Sequence, residues 1–185
     1  QTQKSIAGFS PQTGEQLWRI PFETEYVQNI ITPVVYKQTL IFSGLDKGTM
    51  AVRVIRVAGK WQAVTNWQNP DVSMYMSSPV ASGDYLFGLS HKRKGQFFCI
   101  DARTGKTLWT SDGRVGDNAA IVAAGEFLFL LTDAAELLVA RSHAILFEVL
   151  KKYSVADSPT WAHPVVTNKG ILIKDRTTLA LLSFE

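Results

Sequence analysis

Three histidines, one cysteine and one cluster of acids and amides are the residues of this chain best suited to catalysis or metal binding. His91, His143 and His163 stand far apart, and no two share the short spacing with which a chain presents metal ligands. Cys99 lies inside the apolar run QFFCI, where a thiol is a small core residue, and no neighbour marks it as activated. Asp112, Asp117 and Asn118 in SDGRVGDN offer oxygens to a cation. Their spacing matches no EF-hand loop, and they read as a polar crossover between strands. There is no Gly-x-Ser-x-Gly elbow, phosphate-binding loop or dinucleotide fingerprint. The expectation is no catalytic residue, no metal ligand and no cofactor-binding residue.

The elements that must position these residues follow from composition and spacing. With 185 residues, 46% of them hydrophobic and 19% charged, the chain can bury a sizeable core and is not disordered. The net charge of +3 is dispersed; the one basic run, HKRKG at His91 to Gly95, reads as a solvated loop, so no nucleic-acid partner is expected. One cysteine excludes an intrachain disulfide. No apolar run approaches the ~20 residues of a membrane-spanning helix. The opening QTQKSIAGFSP has no apolar signal region and no initiating Met, and reads as a processed or truncated start.

A phrase repeats. GFSPQTGEQLW (Gly8 to Trp18) and CIDARTGKTLW (Cys99 to Trp109) flank a weaker copy, VAGKWQAV, and their glycines Gly14, Gly59 and Gly105 are 45 and 46 residues apart. The middle copy lacks the Thr and carries Trp61 and Trp67 instead. A second phrase, ITPVV, SSPVA, AAIVA and AHPVV, places Pro33, Pro79, Ile121 and Pro164 at spacings of 46, 42 and 43. Short apolar runs of four to eight residues follow each copy, broken by Gly, Asp, Asn or Lys-Gly. Four such strands per unit indicate propeller blades. A helical solenoid shares the period but not the run length. Between Ala134 and Tyr153 the local composition favours helix, and register with the other copies decides for strand.

The expected fold is all-β, a propeller of four-stranded antiparallel blades with about four blades present, half of an eight-bladed ring. Approximate blades fall at 1–22 (partial), 29–68, 75–111, 118–153 and 161–185 (partial), seventeen strands in one domain over 1–185. The repeated glycine turns the chain between the third and outer strands, and the Trp projects from the outer strand into a joint between sheets. Gly14, Trp18, Gly105 and Trp109 are the expected docking residues.

These phrases resemble the tryptophan-docking motif Ala-x-Asp-x-x-Thr-Gly-x-x-x-Trp of the pyrroloquinoline-quinone-like (PQQ-like, quinoprotein-type) β-propeller repeat family. The likeness is strong at the third copy, fair at the first, and degenerate at the second and fourth. It implies blades of an eight-bladed propeller in an exported, periplasmic or secreted protein. The chain resembles the family's outer-membrane barrel-assembly lipoprotein more than a true quinone dehydrogenase. Those dehydrogenases resemble one another in a vicinal Cys-Cys disulfide, a calcium site of Glu, Asn and Asp, and a catalytic Asp. This chain has one cysteine and no compact acid–amide cluster, so PQQ and calcium, possible by resemblance, find no support in its residues.

In a propeller, crossovers from the outer strand of one blade to the inner strand of the next gather on one face. Here they are ETEYVQNII, NPDVSMYMSS, GRVGDNAA and ADSPTWAH, which bring Tyr26, Asn29, Tyr75, Asp117, Asn118, Trp161 and His163 to a shared rim. Aromatic, amide and acid groups together suit recognition of a protein, peptide or small ligand. The expected function is a non-catalytic binding or scaffolding module of an exported bacterial protein. The alternatives are the C-terminal fragment of a PQQ-dependent dehydrogenase and a sensor domain of a larger receptor. Half a ring exposes sheet faces and edges, so pairing with the missing half of its own chain or with a second copy is expected. The terminal LLSFE reads as the end of an incomplete last blade.

Overall fold

The short apolar runs pair into five antiparallel sheets in a computed structural model that describes residues 1–183; Phe184 and Glu185, which end the LLSFE segment, lie outside the described residues. The first sheet has two strands, β1 (Ser5–Phe9) and β2 (Gln16–Pro21). Three four-stranded sheets follow. The second holds β3 (Val34–Tyr36), β4 (Thr39–Gly44), β5 (Gly48–Val57) and β6 (Lys60–Asn69). The third holds β7 (Val80–Ser82), β8 (Tyr85–Ser90), β9 (Gln96–Asp101) and β10 (Thr107–Thr110). The fourth holds β11 (Ala119–Ala124), β12 (Phe127–Thr132), β13 (Glu136–Arg141) and β14 (Val149–Ser154). The last holds β15 (Val165–Thr167), β16 (Gly170–Lys174) and β17 (Leu179–Ser183). Each strand pairs with its sequence neighbour, which is the meander of a propeller blade. One 3₁₀ turn at Lys92–Lys94 is the only helical element among the described residues.

Residues with helix-favouring composition between Ala134 and Tyr153 form β13 and β14, because β12 offers ladder partners to Leu137–Arg141 of β13, and β13 in turn pairs with β14. Tertiary pairing outweighs intrinsic propensity there.

Four apolar layers separate the five sheets. Ile6, Phe22, Phe42 and Val52 fill the first; Ile41, Trp67, Leu86, Phe98 and Ile100 the second. Phe87, Phe97, Cys99, Trp109 and Leu128 fill the third; Phe129, Leu131, Ile171 and Ile173 the fourth. Middle strands therefore bury both faces. Phe98 and Ile100 point into one layer while Phe97 and Cys99 point into the next, so β9 is buried at every residue. This explains why these strands read as continuous apolar runs rather than alternating ones. The sheets do not close into a full ring, as expected of a partial propeller, and the end sheets leave Phe9, Leu179 and Leu181 exposed.

Candidate binding face

Strand alternation sends all outer-to-inner crossovers, and all turns between second and third strands, to one end of the sheets. Hydrogen bonds between these loops fix that end. In the crossover from β6 to β7, Ser73 Oγ donates to Gly44 O at 2.7 Å, and Met74 N donates to Ser43 Oγ at 3.0 Å. His91, in the β8–β9 turn, lies 2.9 Å through Nδ1 from Ser73 O and 2.8 Å through Nε2 from Asp46 Oδ1. Both partners are hydrogen-bond acceptors. The imidazole thus ties two turns and a crossover together.

The next crossover is zipped to the basic loop. Arg114 N donates to Arg93 O at 3.0 Å, and Val115 N to Gly95 O at 3.1 Å. The approach is so close that a Cβ on Gly95 would stand 2.0 Å from Gly116 O. A cleft of about 390 Å³ opens there, lined by Lys94, Arg114, Asp117 and Asp133. Among the described residues, Asp133 Oδ1 is buried without a hydrogen-bond partner, an acceptor that a ligand cation or N–H would satisfy.

The seven rim residues divide into structural and open groups. Asn29 spends its amide nitrogen on Thr2, Gln3 and Phe22 carbonyls at 3.0, 3.0 and 2.7 Å. Asn118 is buried and accepts from Ser77 Oγ at 2.6 Å, while Ser77 Oγ also accepts from Ala119 N. Asp117 is exposed at the cleft. Tyr75 is half-buried and His163 exposed. Tyr26 and Trp161 are 64% and 56% exposed, large aromatic surfaces with no core role. His91, Asp46 and Ser77 belong to this face although spacing alone did not select them, because their partners come from other blades, and Asp133 joins them at the cleft.

The repeated tryptophans pack against neighbouring strands and turns. Trp109 is buried, stacks near Phe87 and Phe147, and donates through Nε1 to His143 O at 2.9 Å in the next sheet. Trp67 is buried against Gly105 of the next sheet and donates to Ala102 O at 3.0 Å. Trp18 is half-buried, lies over Gly8 of its own sheet and packs on the Phe42 layer. Gly14 has open space around its Cβ position.

The single cysteine is buried in a core layer, and its thiol is pushed up to about 12, first by burial and then by the nearby Asp101 charge. Among the described residues, no three His, Cys, Asp or Glu side chains gather as a metal site. No helix of the described residues is long and apolar enough to cross a membrane.

Comparison with solved structures agrees with the architecture. BamB from Moraxella catarrhalis superimposes with a TM-score of 0.50 at 12% identity, over 94% of this chain and 62% of that one. The Cps50 (Swd1) β-propeller domain from Myceliophteria thermophila superimposes with a TM-score of 0.59 at 15% identity, over 98% of this chain and 67% of that one. This chain thus spans less than two thirds of the length of that BamB. No curated protein matches it by sequence. The model of the family described as outer membrane protein assembly factor BamB matches residues 1–111. With the repeated phrases, the antiparallel blades and that match in hand, the chain belongs to the PQQ-like β-propeller family of BamB.

Proposed function

We propose that this chain is a non-catalytic propeller module of an exported bacterial protein that binds a protein or peptide through its crossover face. One observation carries the reading: Tyr26 and Trp161 expose large aromatic surface on a face whose loops are otherwise pinned by hydrogen bonds. Rigid loops presenting open aromatics lose little entropy on binding, and such residues anchor interfaces. Asp117 and the cleft with Lys94, Arg114 and Asp133 supply polar contacts at the edge. Asn29 and Asn118 act as positioning residues, while Tyr75 and His163 complete the rim. A periplasmic setting accords with a family described as an outer membrane protein assembly factor. The exposed faces of the end sheets pair with further blades of a longer chain or with a second copy.

A photo-reactive amino acid placed at position 161 or 26, with position 151 on the outer strand β14 as control, tests the reading. The expected result is one cross-linked partner from the crossover positions and none from the control. Equal labelling at all three, or none at the rim, would overturn it.

A further inference from the structure

At the opposite end of the sheets, the second blade carries a structure that the others lack. Strands β5 and β6 each run ten residues, whereas every other described strand runs three to six. Strand β4 accompanies β5 only as far as the pair Thr39↔Arg53. Beyond it, residues 54–57 and 60–63 pair with each other alone, from Val54↔Ala63 to Val57↔Lys60. Residues 56–62 are all exposed. A two-stranded ribbon is marginal in water, and this one adds little to the core, so its length has no evident structural return.

Its charge is one-sided. From Gly48 to Pro70 there is no Asp or Glu, while Arg53, Arg56 and Lys60 are cationic. None of the three forms an ion pair among the described residues. Directly opposed residues share a face, so Arg53, Ile55 and Val57 line up with Val64, Gln62 and Lys60. Val57 and Val64 on that face are 46% and 43% exposed. At the base of the ribbon lies a second cleft of about 390 Å³, lined by Lys37, Gln38, Thr39, Arg53, Asn66 and Arg103. The nearby carboxylates are already engaged: Asp84 with the Tyr36 hydroxyl and with Lys37 at 3.0 Å, Asp101 with Arg103 at 2.7 Å. Two acids thus balance two bases, and the three ribbon cations remain in surplus.

We propose that the lane beside β5, where β4 stops at Thr39, receives an extended acidic segment of a partner protein as an added strand. The backbone groups of residues 54–57 on that edge are free of a strand partner and would supply the ladder. Acidic side chains of the segment would meet Arg53 and Lys60 on one face of the ribbon, and its apolar side chains would meet Val54 and Ala63 on the other, beside the Arg56–Trp61 pair. A second copy is disfavoured as occupant, because it would bring six ribbon cations together with no acid among them.

The test uses the whole chain and a labelled peptide of about twelve residues alternating Glu and Val, with a Lys–Val peptide as control. One variant replaces residues 54–63 with Asn-Gly, closing the pair Arg53↔Val64 as a two-residue hairpin. The other carries Arg53→Glu and Lys60→Glu and keeps the ribbon. The acidic peptide should bind the unaltered chain at low salt and about tenfold more weakly to either variant, with the basic peptide silent. If the shortened chain does not fold, the charge-reversed one decides alone. Equal affinity of the acidic peptide for all chains overturns the proposal. So does ribbon-dependent binding of phosphatidylglycerol vesicles, or a ribbon-dependent dimer, without peptide binding.

Discussion

Trp67 lies over Gly105 of the next sheet, so close that a Cβ there would stand 2.5 Å from the indole. The indole N–H donates to Ala102 O, and Asn69 Nδ2 donates to Gly105 O at 2.7 Å and Thr107 Oγ1 at 2.8 Å. The outer strand of one blade therefore clasps the turn of the next. Trp109 repeats the relation one blade on, with its N–H on His143 O.

This clasp distinguishes two glycines of the same phrase. Gly105 and Gly14 both have positive φ, +77° and +72°, but only Gly105 is covered. Gly14→Ala should cost about 1 kcal/mol for the backbone alone. Gly105→Ala should cost at least ~2 kcal/mol, because the indole must also move. Trp109→Ala should cost ~3–5 kcal/mol, the usual range for a large buried aromatic. Urea denaturation of the three variants checks the order; equal losses for the two glycines would remove the clasp from the account.

Most of the fold was legible because turn chemistry and run length are local. The Thr-Gly phrase, the recurring Pro-Val phrase and runs of four to eight apolar residues each report on a few neighbouring residues. The clasp was less so. In β6 a bulge opposite Ala51 and Val52 shifts the register, and the middle copy has no Thr to mark Trp67 as the repeat's tryptophan. The His91–Ser73–Asp46 tie joins loops of different blades, and no local pattern encodes such a meeting. The ribbon was hidden for another reason: β5 and β6 read as two ordinary strands, and only the end of β4 pairing reveals what stands beyond it.

Cys99 is fully buried and its thiol is pushed up to about 12, chiefly by desolvation. At pH 8 the folded protein should resist alkylation by iodoacetamide and react at once in denaturant. Rapid labelling of the native chain would show that the third layer opens.

Arg103 holds the Asp101 carboxyl below its ordinary value of 3.8, through a side-chain hydrogen bond that outweighs partial burial. A depressed folded value means that this contribution is present above the unfolded value and is lost as pH falls through the folded one. Acid titration of unfolding should therefore show stability falling below about pH 4, with a shallower fall in Asp101→Asn. An unchanged slope in that variant would place the acid sensitivity elsewhere.

The end sheets expose Phe9 on β1 and Leu179 and Leu181 on β17. If a second copy covers them, sedimentation of the isolated chain at micromolar concentration should show a dimer, with at least ~2,000 Å² buried as in obligate pairs. A stable monomer would leave further blades of a longer chain as the cover.

The central claim, that open aromatics on a pinned crossover face bind a partner, is tested most directly by titrating the cross-linked partner, once purified, against the unaltered chain and the Tyr26→Ala, Trp161→Ala double variant. Binding should weaken at least about tenfold with an unchanged melting temperature, since neither ring is part of the core. Undiminished affinity in the folded double variant would contradict it.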